Sequence, residues 1–218
     1  MSQPPKENLA EYSSEEERAN TFTHAIGALL TIIAMPFLFL AAQGVGSLQL
    51  FGLILFGLSM LFVYLSSTFY HAATNLRLKW LLQRTDHISI YFLIAGTHTP
   101  FVLLYLNHRW GYIYLTILWT MAFVGMLYKI FYFGRFPRLS VAYYLVLGWM
   151  AVFILKPLME QMPSMALFWV IAGGVSYTLG TFFYVKEDIR YSHAIWHVFV
   201  IGGSVGHYLA LWEAVTSV

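Results

Sequence analysis

His193 and His197 stand four residues apart in the stretch YSHAIWHVFV. On a helix, four residues rise about 6 Å and come back to one face. Two imidazoles at that spacing can grip one metal ion, as other helical H-x-x-x-H pairs do. Two ligands are not enough to hold it. His71 offers a third imidazole, and three histidines leave the fourth position of zinc open to water, as in a catalytic rather than a structural site. Asp86 could orient that water and accept its proton, the metal having lowered the water pKa towards ~7. Ser67 precedes His71 by four residues and shares its helical face. Its hydroxyl could hold the Asp86 carboxylate or a substrate oxygen. The chain has no cysteine, which excludes disulfides and thiolate sites, so a metal must rest on His, Asp or Glu.

These residues need elements to carry them. Of the 218 residues, 59% are hydrophobic and 10% charged, against roughly 25% charged in a soluble domain. A chain this short cannot bury that much apolar surface within itself, so a bilayer must act as solvent. A spanning helix needs about 20 mostly apolar residues. Seven such stretches read as spans: 23–43, 48–73, 88–106, 111–133, 141–158, 165–185 and 193–215. The expected fold is an all-α membrane protein, a seven-transmembrane helix bundle, residues 22–218. Residues 1–21 form a polar, acidic lead-in, with no basic region followed by an apolar one, and do not read as a cleaved signal peptide.

Basic residues orient the bundle. With seven spans, one side holds Lys6, Arg18, Arg77, Lys79, Arg84, Lys129, Arg135, Arg138, Lys186 and Arg190; the other holds Arg109 and Lys156. The expected topology therefore has the N-terminus cytoplasmic and the C-terminus outside. It brings His24, His71, His87, His193 and His197 to the cytoplasmic ends of their helices. Two readings of these histidines stand at this point: a metal site, or interfacial side chains that packing and headgroup water satisfy. Ionisable residues in spans are rare and usually functional, and their convergence on one depth favours the first.

Other residues read as follows. Glu15, Glu16 and Glu17 mark a solvated helix start. His207 and His98 lie about 15 and 18 Å deeper than His197 and Asp86 at helical rise, too far for the metal, and read as buried hydrogen-bonding groups, His207 between helices. Gly202 and Gly206 form a G-x-x-x-G that lets a neighbouring helix approach closely. Pro36 and Pro157 kink or end their helices. Trp110, Tyr112 and Tyr114 read as an aromatic belt. The net charge of +2, with no basic cluster interleaved with aromatics, points away from nucleic acid. No phosphate-binding loop, dinucleotide fingerprint or serine-triad elbow is present.

The segments EEERANTFTHAIG, SSTFYHA, DHISIYFLIAGTHTPF and HAIWHVFVIGGSVGHYLA together resemble the hemolysin III family. That family is the bacterial branch of the progestin and adipoQ receptor superfamily, related in turn to the alkaline ceramidases. The resemblance runs from about Glu16 to near the end of the chain. It implies a seven-helix bundle with a zinc site near the cytoplasmic face. Its S-x-x-x-H motif falls on Ser67 and His71, its acidic position on Asp86 and its last-span pair on His193 and His197. The implied zinc ligands are His71, His193 and His197, with Asp86 as the partner of the water and Ser67 beside it. Its E-x-x-N-x-x-x-H pattern matches Glu17, Asn20 and His24, which could form a polar cap under the site. His98 departs from the pattern, standing where relatives carry tyrosine.

Three functions follow as expectations. The first is a zinc-dependent hydrolase of a lipid amide or ester, ceramidase-like, acting in membrane lipid homeostasis at a bacterial inner membrane. The second is a non-catalytic sensor of lipid or membrane state, with structural zinc. The third is a cytolysin. In all three the partner is a membrane lipid or the bilayer itself.

Overall fold

The computed structural model describes residues 12–106, 108–186 and 188–217. Seven helices are long and apolar enough to cross a membrane: α1 (Ser14–Ala41), α2 (Ser47–Ala72), α3 (Leu76–Tyr105), α4 (Arg109–Phe131), α5 (Pro137–Gln161), α6 (Ser164–Val185) and α7 (Ser192–Thr216). The chain is thus a multi-pass membrane protein, and no strand occurs among the described residues. Consecutive helices pack side by side, α7 closes back onto α1, and α3 also touches α5 and α7. Large apolar side chains such as Phe22, Phe69, Phe153 and Phe168 remain exposed on the outside, which suits a surface solvated by lipid tails.

Two helices begin well before their apolar runs. α1 starts at Ser14, inside the stretch expected to be a polar lead-in. A capping box explains the start: the Ser13 hydroxyl accepts from the Glu16 backbone N–H at 3.2 Å, while the Glu16 carboxylate accepts from the Ser13 N–H at 3.1 Å. Such a cap stabilises a helix by about 1 kcal/mol. Residues 1–11 of that lead-in, Lys6 among them, lie outside the described residues. α3 starts at Leu76, twelve residues before the span read from hydropathy, because Asn75 caps it by accepting from the Arg77 and Leu78 N–H groups and no Gly or Pro interrupts residues 76–87. Asp86 therefore stands within a helix and not at its mouth.

α5 contains a 3-10 segment, Met150–Ile154. Pro157 has no N–H for the carbonyl of Phe153, and the tighter segment lies just where that bond is missing. Pro36 lies inside α1, which continues past it. The close approach expected of Gly202 and Gly206 is made, Gly202 against the Ser176 side chain and Gly206 against the backbone of α6, with Gly203 joining them. A Cβ on Gly206 would come within 2.9 Å of Gly173 Cα on α6, and one on Gly203 would strike the Tyr177 ring. Trp110 and Tyr112 are exposed as a belt requires, but Tyr114 is buried and turns towards His98, ring to ring at 6.1 Å.

Candidate metal centre

At the end of the bundle where α1 and α7 begin and α2 finishes, His71, His193 and His197 come together. One ligand nitrogen from each lies within 4.8 Å of the other two, so the three could hold a metal ion. His71 and His197 are buried and His193 partly so. The last turn of α2 presents His71, and the first two turns of α7 present His193 and His197. His71 Nε2 and His193 Nε2 are 3.2 Å apart. Tetrahedral zinc, with Zn–N of about 2.0–2.1 Å, sets its nitrogens about 3.3 Å apart.

The outer nitrogen of each ring is held by the start of α1 or by Tyr12 just before it. His71 Nδ1 is 2.7 Å from the Glu17 carboxylate, His193 Nδ1 is 2.9 Å from the Tyr12 hydroxyl, and His197 Nδ1 is 3.0 Å from the Thr23 hydroxyl. Two of these partners decide the tautomer. Glu17 also pairs with Lys79 at 2.8 Å, and a carboxylate can only accept, so His71 donates from Nδ1. Thr23 has one hydroxyl proton, and carbonyls of Ala19 and Asn20 lie 3.0 and 2.9 Å from its oxygen. It gives that proton to its own helix, so it accepts from His197 Nδ1–H. Both rings then turn an Nε2 lone pair inward. His193 faces the His71 lone pair at 3.2 Å, and its Tyr12 partner can give or take a proton, so its Nε2 can either donate to His71 or add a third inward lone pair. The donor set therefore fits a metal, with the outer hydrogen bonds that metal-ligating histidines normally make.

The start of α7 is fixed by the same helix. Tyr191, just before it, has φ 60, a left-handed conformation that costs a bulky residue about 1–2 kcal/mol. Glu16 accepts from the Tyr191 N–H at 3.2 Å, and Glu15 pairs with Arg190 at 2.5 Å. The acidic run is thus a clamp as well as a helix start. Glu15 and Glu16 hold the entry to α7, and Glu17 holds a histidine.

Asp86 and Ser67 lie beside this group. Both are buried. The Asp86 carboxyl faces the Ser67 hydroxyl, and Ser67 Oγ is 3.5 Å from His197 Nε2. Asp86 is not among the side chains that share the 4.8 Å cluster. Asn20 approaches His71 Nδ1 at 3.5 Å. His24 stacks on His197 with ring centres 3.5 Å apart and offers no nitrogen to the cluster. His87 points away, towards Phe133 at 5.1 Å.

Tyr12 and Thr23 were not singled out in the sequence. Thr23 had a readable signal, since Glu17, Asn20 and Thr23 recur every three residues along one face of α1. Tyr12 precedes the helix and had none.

Comparison with known proteins now adds the family. The profile of haemolysin-III-related proteins matches residues 12–208. The chain belongs to that family. This haemolysin-III-related chain is 42% identical over 201 residues to the Hemolysin-3 homolog of Bacillus subtilis (strain 168), covering 92% of this chain and 94% of the relative. It is 39% identical over 191 residues to Hemolysin-3 of Bacillus cereus, covering 87% of each. At 25% identity over 212 residues it also resembles the human monocyte to macrophage differentiation factor, covering 91% of this chain and 84% of the relative. The last similarity supports the wider progestin and adipoQ receptor relationship.

Proposed function

We propose that this haemolysin-III-related protein is a zinc-dependent hydrolase of a lipid amide or ester, acting at the cytoplasmic face of a bacterial inner membrane in lipid homeostasis. The observation that carries the reading is the convergence of three imidazoles whose outer nitrogens are tied to α1 or to Tyr12 just before it, with a buried carboxyl group one hydroxyl away. His71, His193 and His197 would hold the metal, and Asp86 and Ser67 would do the proton chemistry. Bound zinc supplies Lewis acidity, polarising an acyl carbonyl and acidifying water. Asp86 takes a proton from the attacking water at a carboxylate oxygen and returns it to the departing amine or alcohol as the acyl bond breaks. Ser67 donates to Asp86 and keeps that oxygen aimed at the histidines. The excess of Lys and Arg at this end supports a cytoplasmic placement.

The test is metal analysis of the detergent-purified protein, wild type beside His197→Ala, followed by a lipid panel. About one zinc per chain, lost in the variant, with fatty acid released by wild type and not by Asp86→Asn, is the expected result. Well-folded wild type without metal sinks the reading.

A second reading has its own support. Ligands from α2 and α7, secured by α1, join three helices, as a structural clasp in a membrane-state sensor would. It predicts that chelation unfolds the bundle and that Asp86→Ala keeps function. The names of the two bacillus relatives suggest a third, cytolysis. Purified protein that lyses erythrocytes at low concentration would put it first.

A further inference from the structure

Lys129, in the last turn of α4, is 4% exposed. Among the described residues no carboxylate lies within ion-pair reach of its ammonium group, and no hydrogen-bond acceptor meets it. A cation near the C-terminal end of a helix is favoured by the helix dipole. That accounts for its position in the chain; the side chain is largely buried, its ammonium nitrogen keeps a small opening to the outside, and no described carboxylate neutralises it. Its contacts are aromatic: Nζ lies 5.4 Å from the centre of the Phe133 ring and 5.9 Å from that of Tyr144.

Two more donors surround the same ring. The Arg84 guanidinium carbon is 5.6 Å from the Phe133 centre, and the His87 ring is 5.1 Å from it. Arg84 Nε and His87 Nδ1 are buried with no hydrogen-bond partner, while Trp80 supports the Arg84 guanidinium at 3.7 Å. Asp86 lies between Arg84 and His87 in sequence but faces Ser67 on the other side of α3. Three nitrogen-bearing side chains thus share one aromatic ring with no anion among them. Cation–π contacts alone do not offset the desolvation of an unpaired ammonium. The missing component is an anion with several acceptor oxygens, and phosphate matches the fork of an arginine beside the point charge of a lysine.

We propose that this corner between α3 and α4 binds a phosphate-bearing anion, supplied in the membrane by the headgroup of an acidic phospholipid. It lies at the same end of the bundle as the three histidines, on the opposite face of α3 from Ser67, and does not depend on a metal there.

The experiment measures the melting temperature of detergent-purified full-length protein, wild type and Lys129→Gln, on addition of phosphatidylglycerol, phosphatidylcholine or inorganic phosphate. Wild type should be stabilised by phosphatidylglycerol well beyond phosphatidylcholine, and Lys129→Gln should lose that increment. Its apparent affinity should fall about tenfold or more, as for loss of one charge-assisted partner. Stabilisation by inorganic phosphate as well would assign the site to free phosphate; a response to the lipid alone assigns the headgroup. Arg84→Gln, at the more open edge of the corner, should show the same loss and serves where Lys129→Gln does not fold. Equal responses to both lipids, no response in wild type, or a full response in the variants would overturn the proposal.

Discussion

His71, His193 and His197 at one end of the bundle and His98 and His207 deeper within it put the same side chain to two uses. His98 Nδ1 donates to the carbonyl of Ile94 at 2.8 Å, and His207 Nδ1 to that of Gly203 at 2.7 Å. Each partner lies four residues back on the histidine's own helix. Each ring ties one nitrogen to its own helix, while His98 Nε2 stays buried without a partner and His207 packs on other helices, against Gly173 and the rings of Tyr177 at 5.4 Å and Phe101 at 6.1 Å. The expected hydrogen bond between helices is not made at His207. At the other end no Nδ1 turns to its own helix. Two reach across to α1 and the third to Tyr12 just before it, and three inner nitrogens are left to meet. A histidine bonded to its own backbone packs; one bonded to another helix is being aimed.

The contrast breaks most plainly at the three clustered histidines. His193→Ala or His197→Ala should abolish stoichiometric metal, whereas His207→Ala should leave it unchanged, as elemental analysis of the purified variants would show. Metal retained in both ligand variants would reduce the cluster to interfacial packing. Asp86→Asn comes next in size. It should keep its metal and lower lipid hydrolysis by about 10²–10⁴-fold, the usual share of a positioned acid–base group. Metal lost along with activity would make Asp86 a ligand instead.

The three-histidine cluster was more legible in the sequence than the wiring around it. His193 and His197 announce themselves by spacing, and Ser67 and His71 by sharing a face, because a helix converts a four-residue interval into proximity. Hydropathy located all seven spans for the same reason, since lipid demands long apolar runs. It misplaced the start of α3, because a polar helix outside the apolar layer carries no hydropathy signal and the Asn75 cap is a local hydrogen bond. The role of Glu17 was blurred by its neighbours. Three consecutive glutamates look like solvated charge until α1 is set against α2 and α7, and then Arg190, Tyr191 and His71 claim one each. Tyr114 failed for lack of a rotational reference, as belt and interior residues on α4 have the same composition.

Glu17→Gln sharpens the comparison at the wiring itself. The variant keeps the shape and an acceptor oxygen beside His71 Nδ1 but removes the charge that also holds Lys79. Metal affinity should fall about 10–100-fold, the range for outer-shell partners of metal ligands, read by competition with a chromogenic chelator. Lys79→Ala should cost less, because it touches Glu17 and no histidine. An affinity unchanged in Glu17→Gln would mean that His71 is aimed by packing alone.

Thr23→Val is the smallest change and the most specific. Valine matches threonine in shape, so the packing of α1 against α7 should persist. What goes is the oxygen that accepts from His197 Nδ1–H, and a buried N–H without a partner costs about 1–3 kcal/mol. The ring can escape that cost by moving its proton to Nε2, the nitrogen that faces the other two histidines, and in that form it cannot ligate. Metal binding must then pull the proton back, so affinity should drop by about tenfold, near the lower edge of the outer-shell range, with little change in melting temperature of the metal-free protein. Thr23→Ser should restore it. His98 and His207 supply the control, because their Nδ1 protons are held by backbone carbonyls that no side-chain substitution removes. If Thr23→Val binds as tightly as wild type, the tautomer of His197 is not set from α1, and the difference between the two histidine sets comes down to the meeting of the rings.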